Sequence, residues 1–195
     1  MTIAVLAAAT AAGTAHAGSF TISPAGGIEA FATQLRFLGN TGAHFECNVT
    51  LRGRLLAGPI AQTAGSVFGE VPAGTMGGCV GATSAELWSP GLPWRLKFQS
   101  GVGTWPSSLT GLLFTFEAMR VRVVGFAGTA ECIYGGTPEL LADMTNVALN
   151  RYRDVVWSFL SAQQLAFVGG STSCPTQVEV VGAFRIAPTQ TITAS

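Results

Sequence analysis

Apolar and polar positions alternate with a period of two along most of this chain, and no long helical period interrupts them. The cleanest run covers residues 44–52. Phe45, Cys47, Val49 and Leu51 fall on one side of it, and His44, Glu46, Asn48, Thr50 and Arg52 on the other. A strand sends successive side chains to opposite faces, so Cys47 is expected to face a core. Phe20 and Ile22 open an earlier run that stops at Pro24 and the Gly26-Gly27 pair. Phe31, Thr33, Leu35 and Phe37 then share one face of a strand ended by the Gly39-Asn40-Thr41-Gly42 turn. At residues 92–98 Trp94, Leu96 and Phe98 oppose Arg95, Lys97 and Gln99, and this strand is expected to be the centre of the fold. Further strands are expected at 66–71, 83–88, 109–124, 130–134, 153–159, 164–168 and 177–186, with a Gly-rich loop approaching Cys79. Within 109–124, Phe114 and Phe116 have the opposite parity to Met119, Val121 and Val123. One extra residue, a bulge near Glu117-Ala118, would restore a common inward face. Residues 138–150 fit a short amphipathic helix through Leu140, Leu141, Met144 and Ala148, and fit a loop plus strand equally well. Many short strands between turns predict an all-β protein, an antiparallel β-sandwich of Greek-key or jelly-roll type. Its core would be drawn from Phe37, Phe45, Val49, Leu51, Trp94, Leu96, Phe98, Phe114, Phe116, Val121, Val123, Phe167, Val180 and Phe184.

The first 17 residues change the picture of location. An Ala-rich apolar run ends in Ala15-His16-Ala17, a small-x-small pattern that reads as a secretory signal peptide. The run is too short, and too broken by Thr10, Gly13 and Thr14, to cross a bilayer, so no integral membrane segment is expected. Residues 18–195 are then expected to form a single β-sandwich domain. Charged residues make up 10% of the chain, and ten basic residues balance ten acidic ones. Such a chain has no electrostatic footprint for nucleic acid or acidic lipid, and both are set aside as partners. The same low charge leaves little repulsion between copies, which makes the chain itself a candidate partner.

Four cysteines, Cys47, Cys79, Cys132 and Cys174, remain beyond residue 17. An even number in an exported chain predicts two disulfides. Three connectivities exist, of which Cys47 to Cys79 and Cys132 to Cys174 is favoured, as staples joining two halves of the sandwich across the Trp94 strand. Each loop so closed would contribute about 4 kcal/mol. Glu46-Cys47 and Glu131-Cys132 each open a strand, a faint internal echo. The cysteine spacings are too long for a zinc site, so neither metal nor cofactor is expected.

Catalytic chemistry finds little support. A Ser-His-Asp or Cys-His apparatus needs an imidazole. His44 is the one histidine beyond residue 17, and it lies mid-strand among polar neighbours. His44 and Glu46 share a face but lack a third metal ligand. Glu46 and Glu131 could be the carboxylates of a glycosidase only if the halves were related by pseudo-symmetry; a surface place beside a disulfide is the plainer reading of each. No nucleophile elbow, phosphate loop or dinucleotide fingerprint occurs, and the chain is not expected to be an enzyme. Of the four tryptophans, Trp94 and Trp157 are expected in the core. Trp105, before Pro106 in a Gly-rich loop, is the candidate for exposure to a hydrophobic or glycan ligand.

Several segments carry a resemblance. They are Cys47 with Val49-Thr50-Leu51-Arg52-Gly53, the Gly77-Gly78-Cys79 triplet, Gly91-Leu92-Pro93-Trp94, Cys132-Ile133-Tyr134-Gly135, and the stretch from Leu165-Ala166-Phe167-Val168-Gly169-Gly170-Ser171 to Cys174-Pro175. Together they resemble a set of small exported bacterial β-proteins, secreted actinobacterial proteins of unknown function. More distantly they are similar to the protein activator of alkane oxidation family at bacterial cell surfaces. The resemblance implies an extracellular β-sandwich with two disulfides and carries over no catalytic residue. The longer, bulkier stretch at residues 138–159 departs from the pattern. The expected function is thus that of an exported, non-enzymatic β-sandwich of the cell surface or extracellular matrix that assembles with itself. A secreted binding module for a hydrophobic or carbohydrate ligand is the alternative.

Overall fold

In the computed structural model, which describes residues 18–195, the alternating runs become sixteen strands. The expected signal peptide, residues 1–17, lies outside the described residues. In chain order the strands are β1 (Ser19–Ser23), β2 (Gly26–Gly39), β3 (His44–Leu55), β4 (Ile60–Ala61), β5 (Val67–Val80), β6 (Ser84–Leu87), β7 (Trp94–Thr104) and β8 (Ser108–Glu117). There follow β9 (Met119–Val124), β10 (Glu131–Gly136), β11 (Glu139–Ala148), β12 (Arg151–Phe159), β13 (Gln164–Gly170), β14 (Gln177–Val181), β15 (Ala183–Ala187) and β16 (Thr191–Ala194). Among the described residues, 3₁₀ turns at Ser89–Gly91 and Phe126–Gly128 supply the helical backbone. No helix there is long and apolar enough to cross a membrane.

The expected two-sheet sandwich gives way to a closed barrel with outer strands. Antiparallel pairing runs β12-β11-β8-β7-β5-β3-β2, and the short β15 closes the ring by pairing β2 on one side and β12 on the other. The closing pairs are Arg185 with Phe31 and Phe184 with Trp157. Length makes this possible: β2 and β5 have 14 residues each and β3 has 12, and strands that long twist too far to stay within one flat layer. Each therefore serves two structures. The first part of β2 pairs β15 in the barrel, and its last part, Arg36 to Gly39, pairs β14 and so starts an outer layer, β14-β13-β10-β9-β6. A second arm, β16-β1-β4, extends from β12.

An eight-strand barrel is just wide enough for side chains to fill it. Here Trp94, Leu96, Phe98, Phe114, Phe116, Trp157 and Phe184 do so. Phe114 meets Trp157 edge-on at 4.9 Å and Phe116 meets Phe184 at 6.3 Å. What remains between Ile22, Leu55, Phe68, Phe114, Trp157 and Gln190 is a cavity of about 20 Å³, water-sized at most. The outer layer packs on the far ends of β2 and β3, where Phe37 stacks on Phe45 at 4.5 Å and Phe45 meets Phe126 at 4.9 Å. On β3 the inward positions are apolar and the outward ones polar, the reverse of a barrel that faces lipid.

Chain passes between barrel and outer layer at residues with positive φ: Gln34 (55°), Ala118 (58°) and Gly182 (140°). Gln34 inverts the parity expected for β2. Ala30 and Ala32 point inward before it, Leu35 and Phe37 after it, and Phe31 and Thr33 are exposed instead of sharing the buried face. At Ala118 the expected bulge is a full strand break. Phe114, Phe116, Met119, Val121 and Val123 are all buried, yet β8 pairs β7 and β11 whereas β9 pairs β10 and β6. Gly182 likewise splits the expected strand at 177–186 into β14 and β15. Of residues 138–150, Glu139–Ala148 is strand and not helix, with Leu140, Ala142 and Met144 buried. The Gly-rich approach to Cys79 is strand too, with Ala73 to Met76 opposite Arg52 to Val49.

Candidate functional site

Both disulfides lie in or beside the outer layer. Cys47 of β3 is bonded to Cys79 of β5, and Cys132 of β10 to Cys174 in the loop between β13 and β14. Neither crosses the Trp94 strand, which corrects the expected staple between halves. Cys47–Cys79 ties two adjacent ring strands, and Cys132–Cys174 lies within the outer layer. The echo between Glu46-Cys47 and Glu131-Cys132 is not a repeated topology, because the partner cysteine sits in a strand in one case and in a loop in the other.

One long stretch of β5 is laddered on a single side. The strand's first part, Val67 to Val71, pairs β7, and from Ala73 to Val80 it pairs β3 alone. β6 pairs β9 alone, so the outer layer would close into a second barrel if β5 and β6 were laddered. They are not. Leu87 of β6 instead leans over Gly74, where a Cβ would come within 2.5 Å of the leucine and 2.6 Å of the Thr50 carbonyl. Glycine is what lets β6 sit this close. The free stretch, Ala73-Gly74-Thr75-Met76-Gly77-Gly78-Cys79-Val80, carries no charge.

A second feature lies where β2 forks from β15 to β14. Phe31, Thr33, Ala183 and Arg185 border an open groove of about 340 Å³, and the Phe31 ring is 43% exposed. Arg185 is opposite Phe31 in the ladder and belongs to none of the ion pairs among the described residues.

Trp105, expected to be exposed, is half-buried. Its ring meets Phe20 edge-on at 6.1 Å, and its Nε1–H donates to the Ser195 carbonyl at 3.2 Å. Its ring and its polar edge thus each have a partner inside the chain. Trp94 and Trp157 are in the core, as expected, and Trp88 lies beneath the Arg120 guanidinium at 5.2 Å.

The two candidate glycosidase carboxylates are not brought together as a pair. Glu46 stands 3.8 Å from Arg36 across the β2–β3 ladder. Glu131 is held at 2.6 Å by Arg122, which also binds Glu86 at 3.0 Å. The hydrogen bond from Arg122 holds the Glu131 carboxyl below the usual carboxylate range, whereas a general acid needs its pKa raised. His44 is exposed, and no cluster of three metal-ligating side chains occurs among the described residues. Tyr134, fully buried in the outer-layer core with no partner for its hydroxyl, has its phenol pushed up to about 12 by that burial. It faces no cleft.

No family model, no curated protein and no solved structure matches the chain. The β5 edge and the Phe31 groove therefore stand on their own geometry. Neither was expected from sequence. The β2 inversion did leave a trace there: Glu29 is polar at an odd position and Arg36 at an even one, and the adjacent polar pair Thr33-Gln34 marks where the alternation breaks.

Proposed function

We propose that this chain is an exported, non-enzymatic β-protein of the cell surface or extracellular matrix that assembles with copies of itself through the free part of β5. The observation that carries the reading is the unpaired, uncharged edge from Ala73 to Val80. Free edges are ordinarily blunted by lysine, proline or a covering segment. In β5 the one proline, Pro72, precedes the edge, and the four-residue β6 lies beside it without laddering to it. An added strand would satisfy the outward N–H and C=O groups. Two disulfides fit an oxidising compartment, and the leader-like run at residues 1–17 supports export to it. The resemblance to small exported bacterial β-proteins agrees with that placement.

Light scattering and sedimentation velocity over a concentration series test the reading. The expected result is a mass that rises with concentration. Thr75→Lys, which puts a charge on the exposed edge, should hold the protein as a monomer. A wild-type chain that stays monomeric at the highest concentration overturns it. The open groove beside Phe31 favours a second reading, a module for a hydrophobic or carbohydrate ligand. In that case a monomer would show saturable tryptophan quenching by glycan or alkane that Phe31→Ala abolishes.

A further inference from the structure

The balanced charge of the chain hides a local imbalance. Arg36, Arg52, Arg54, Arg95, Lys97 and Arg122 all meet glutamates, and Arg120 lies over Trp88. The basic residues left without a carboxylate in these ion pairs are Arg151, Arg153 and Arg185, on the adjacent strands β12 and β15. Arg151 and Arg153 are exposed, and their ladder partners on β16 are Thr193 and Thr191, which carry no charge.

The β11–β12 hairpin places an apolar tip beyond these arginines. β8 pairs β11 only as far as Asp143, and the hairpin end beyond it is held by the Tyr152 hydroxyl, which bonds the Pro106 carbonyl and the Leu109 N–H, and by the Ala194 N–H, which donates to the Asn150 carbonyl. Ala148 is opposite Arg151, and the turn runs through Leu149 and Asn150, the latter with φ 54°. Val147, Ala148 and Leu149 are all exposed. Leu149, at 80%, is the most exposed large apolar side chain among the described residues, and Val147 is at 49%. Among the described residues Val147 and Leu149 stay exposed. The carboxylates of the hairpin are Glu139 and Asp143 at its base, the latter opposite Val156, and Asp154, which follows Arg153 in the chain and is opposite Met144.

We infer that this hairpin docks the protein on an anionic lipid surface, with Val147, Ala148 and Leu149 entering the boundary between headgroups and acyl chains and Arg151 and Arg153 bonding to lipid phosphates. Spacing supports the assignment. At about 3.3 Å per residue, Arg151 stands about 7 Å behind the tip and Arg153 about 13 Å behind it. Interfacial segments bury their apolar groups by about 5–10 Å, which sets the first guanidinium at phosphate depth and the second at the headgroup surface. Guanidinium groups bind phosphate oxygens bidentately. An apolar protein partner would cover the leucine and valine but leave both arginines to be desolvated without a counter-charge. The inference does not rest on assembly through β5, whose free edge belongs to the outer layer.

Flotation of the full chain with vesicles of phosphatidylcholine, with and without phosphatidylglycerol, tests it. The wild-type chain should bind the vesicles containing phosphatidylglycerol and lose that binding in high salt. Leu149→Asp, and separately the double variant Arg151→Ser with Arg153→Ser, should each weaken binding about tenfold or more. All three side chains are exposed, so circular dichroism should be unchanged, and comparison within one chain cancels any contribution from residues 1–17. Equal binding by wild type and Leu149→Asp overturns the inference, as does failure of wild type to bind anionic vesicles. So does lipid-free assembly that Leu149→Asp abolishes, which would assign the tip to a second copy.

Discussion

Single residues fix points where the ladders alone leave the chain loose. The Tyr152 hydroxyl, near the tip of the β11–β12 hairpin, donates to the Pro106 carbonyl at 2.5 Å and accepts from the Leu109 N–H at 3.2 Å. It ties the β7–β8 turn to the barrel wall. Tyr152→Phe would leave both main-chain groups without that partner, and urea unfolding should show a loss of about 1–3 kcal/mol. Tyr134 is the other of the chain's two tyrosines, so their ionisation can be followed by absorbance. Its phenol is pushed up to about 12 by burial, while in the unfolded chain it ionises near 10. Between those values the unfolded state gives up a proton that the folded state keeps. Stability should therefore be unaffected by this group below about pH 10 and fall as pH rises toward about 12, with the ionisation near pH 12 lost in Tyr134→Phe. Glu131 has the opposite sign: its lowered pKa adds stability above the carboxylate range that is lost as acid protonates it, and Arg122→Ala should remove that acid-side dependence.

At the level of strands, the decisive positions are those where chain leaves the barrel. Ala118 holds φ 58° on an exposed turn, a conformation that costs an L residue about 1–2 kcal/mol and glycine little. Ala118→Gly should accordingly raise thermal stability slightly, by up to about 1 kcal/mol after the added chain entropy, and Ala118→Val should lower it. Gly182 answers differently. A Cβ there would lie 2.8 Å from Leu35 Cδ1, with φ at 140°, so Gly182→Ala should destabilise the β14–β15 passage. The period of two identified most of the strands that these passages connect. It found the parity conflict near Ala118 correctly and named it a bulge, since a bulge and a strand break both insert one residue. It missed the inversion at Gln34 because Phe31 and Thr33 are residues a buried face readily accepts.

Taken whole, the molecule divides into a ring closed by hydrogen bonds, with Cys47–Cys79 joining its strands β3 and β5, and an outer layer that contains Cys132–Cys174. The disulfides close loops of 32 and 42 residues, worth about 4 kcal/mol each by loop-closure entropy. Reduction, or the paired substitution Cys132→Ser with Cys174→Ser, should thus loosen the outer layer first. Hydrogen exchange should show β9, β10 and β13 losing protection while β7, β8 and β11 keep theirs. Uniform loss across all six strands would show the two parts to be one cooperative unit.

The alternation of Phe45, Cys47, Val49 and Leu51, and of Trp94, Leu96 and Phe98, by itself determined that the chain is antiparallel β and which of those side chains are buried, because side-chain direction in a strand is local. Four cysteines with one plain pairing of neighbours indicated the two disulfides. Closure of the ring was decided only in three dimensions. It depends on β15 finding β2 and β12 at once, 150 residues apart in some pairs, and no local period records which edges meet. The sites were less legible still. Trp105 found partners in Phe20 and the last residue of the chain, while Phe31 and the Ala73–Val80 edge gained their exposure from strands that diverge elsewhere. Exposure is a property of what fails to pack nearby, and tertiary structure alone sets that.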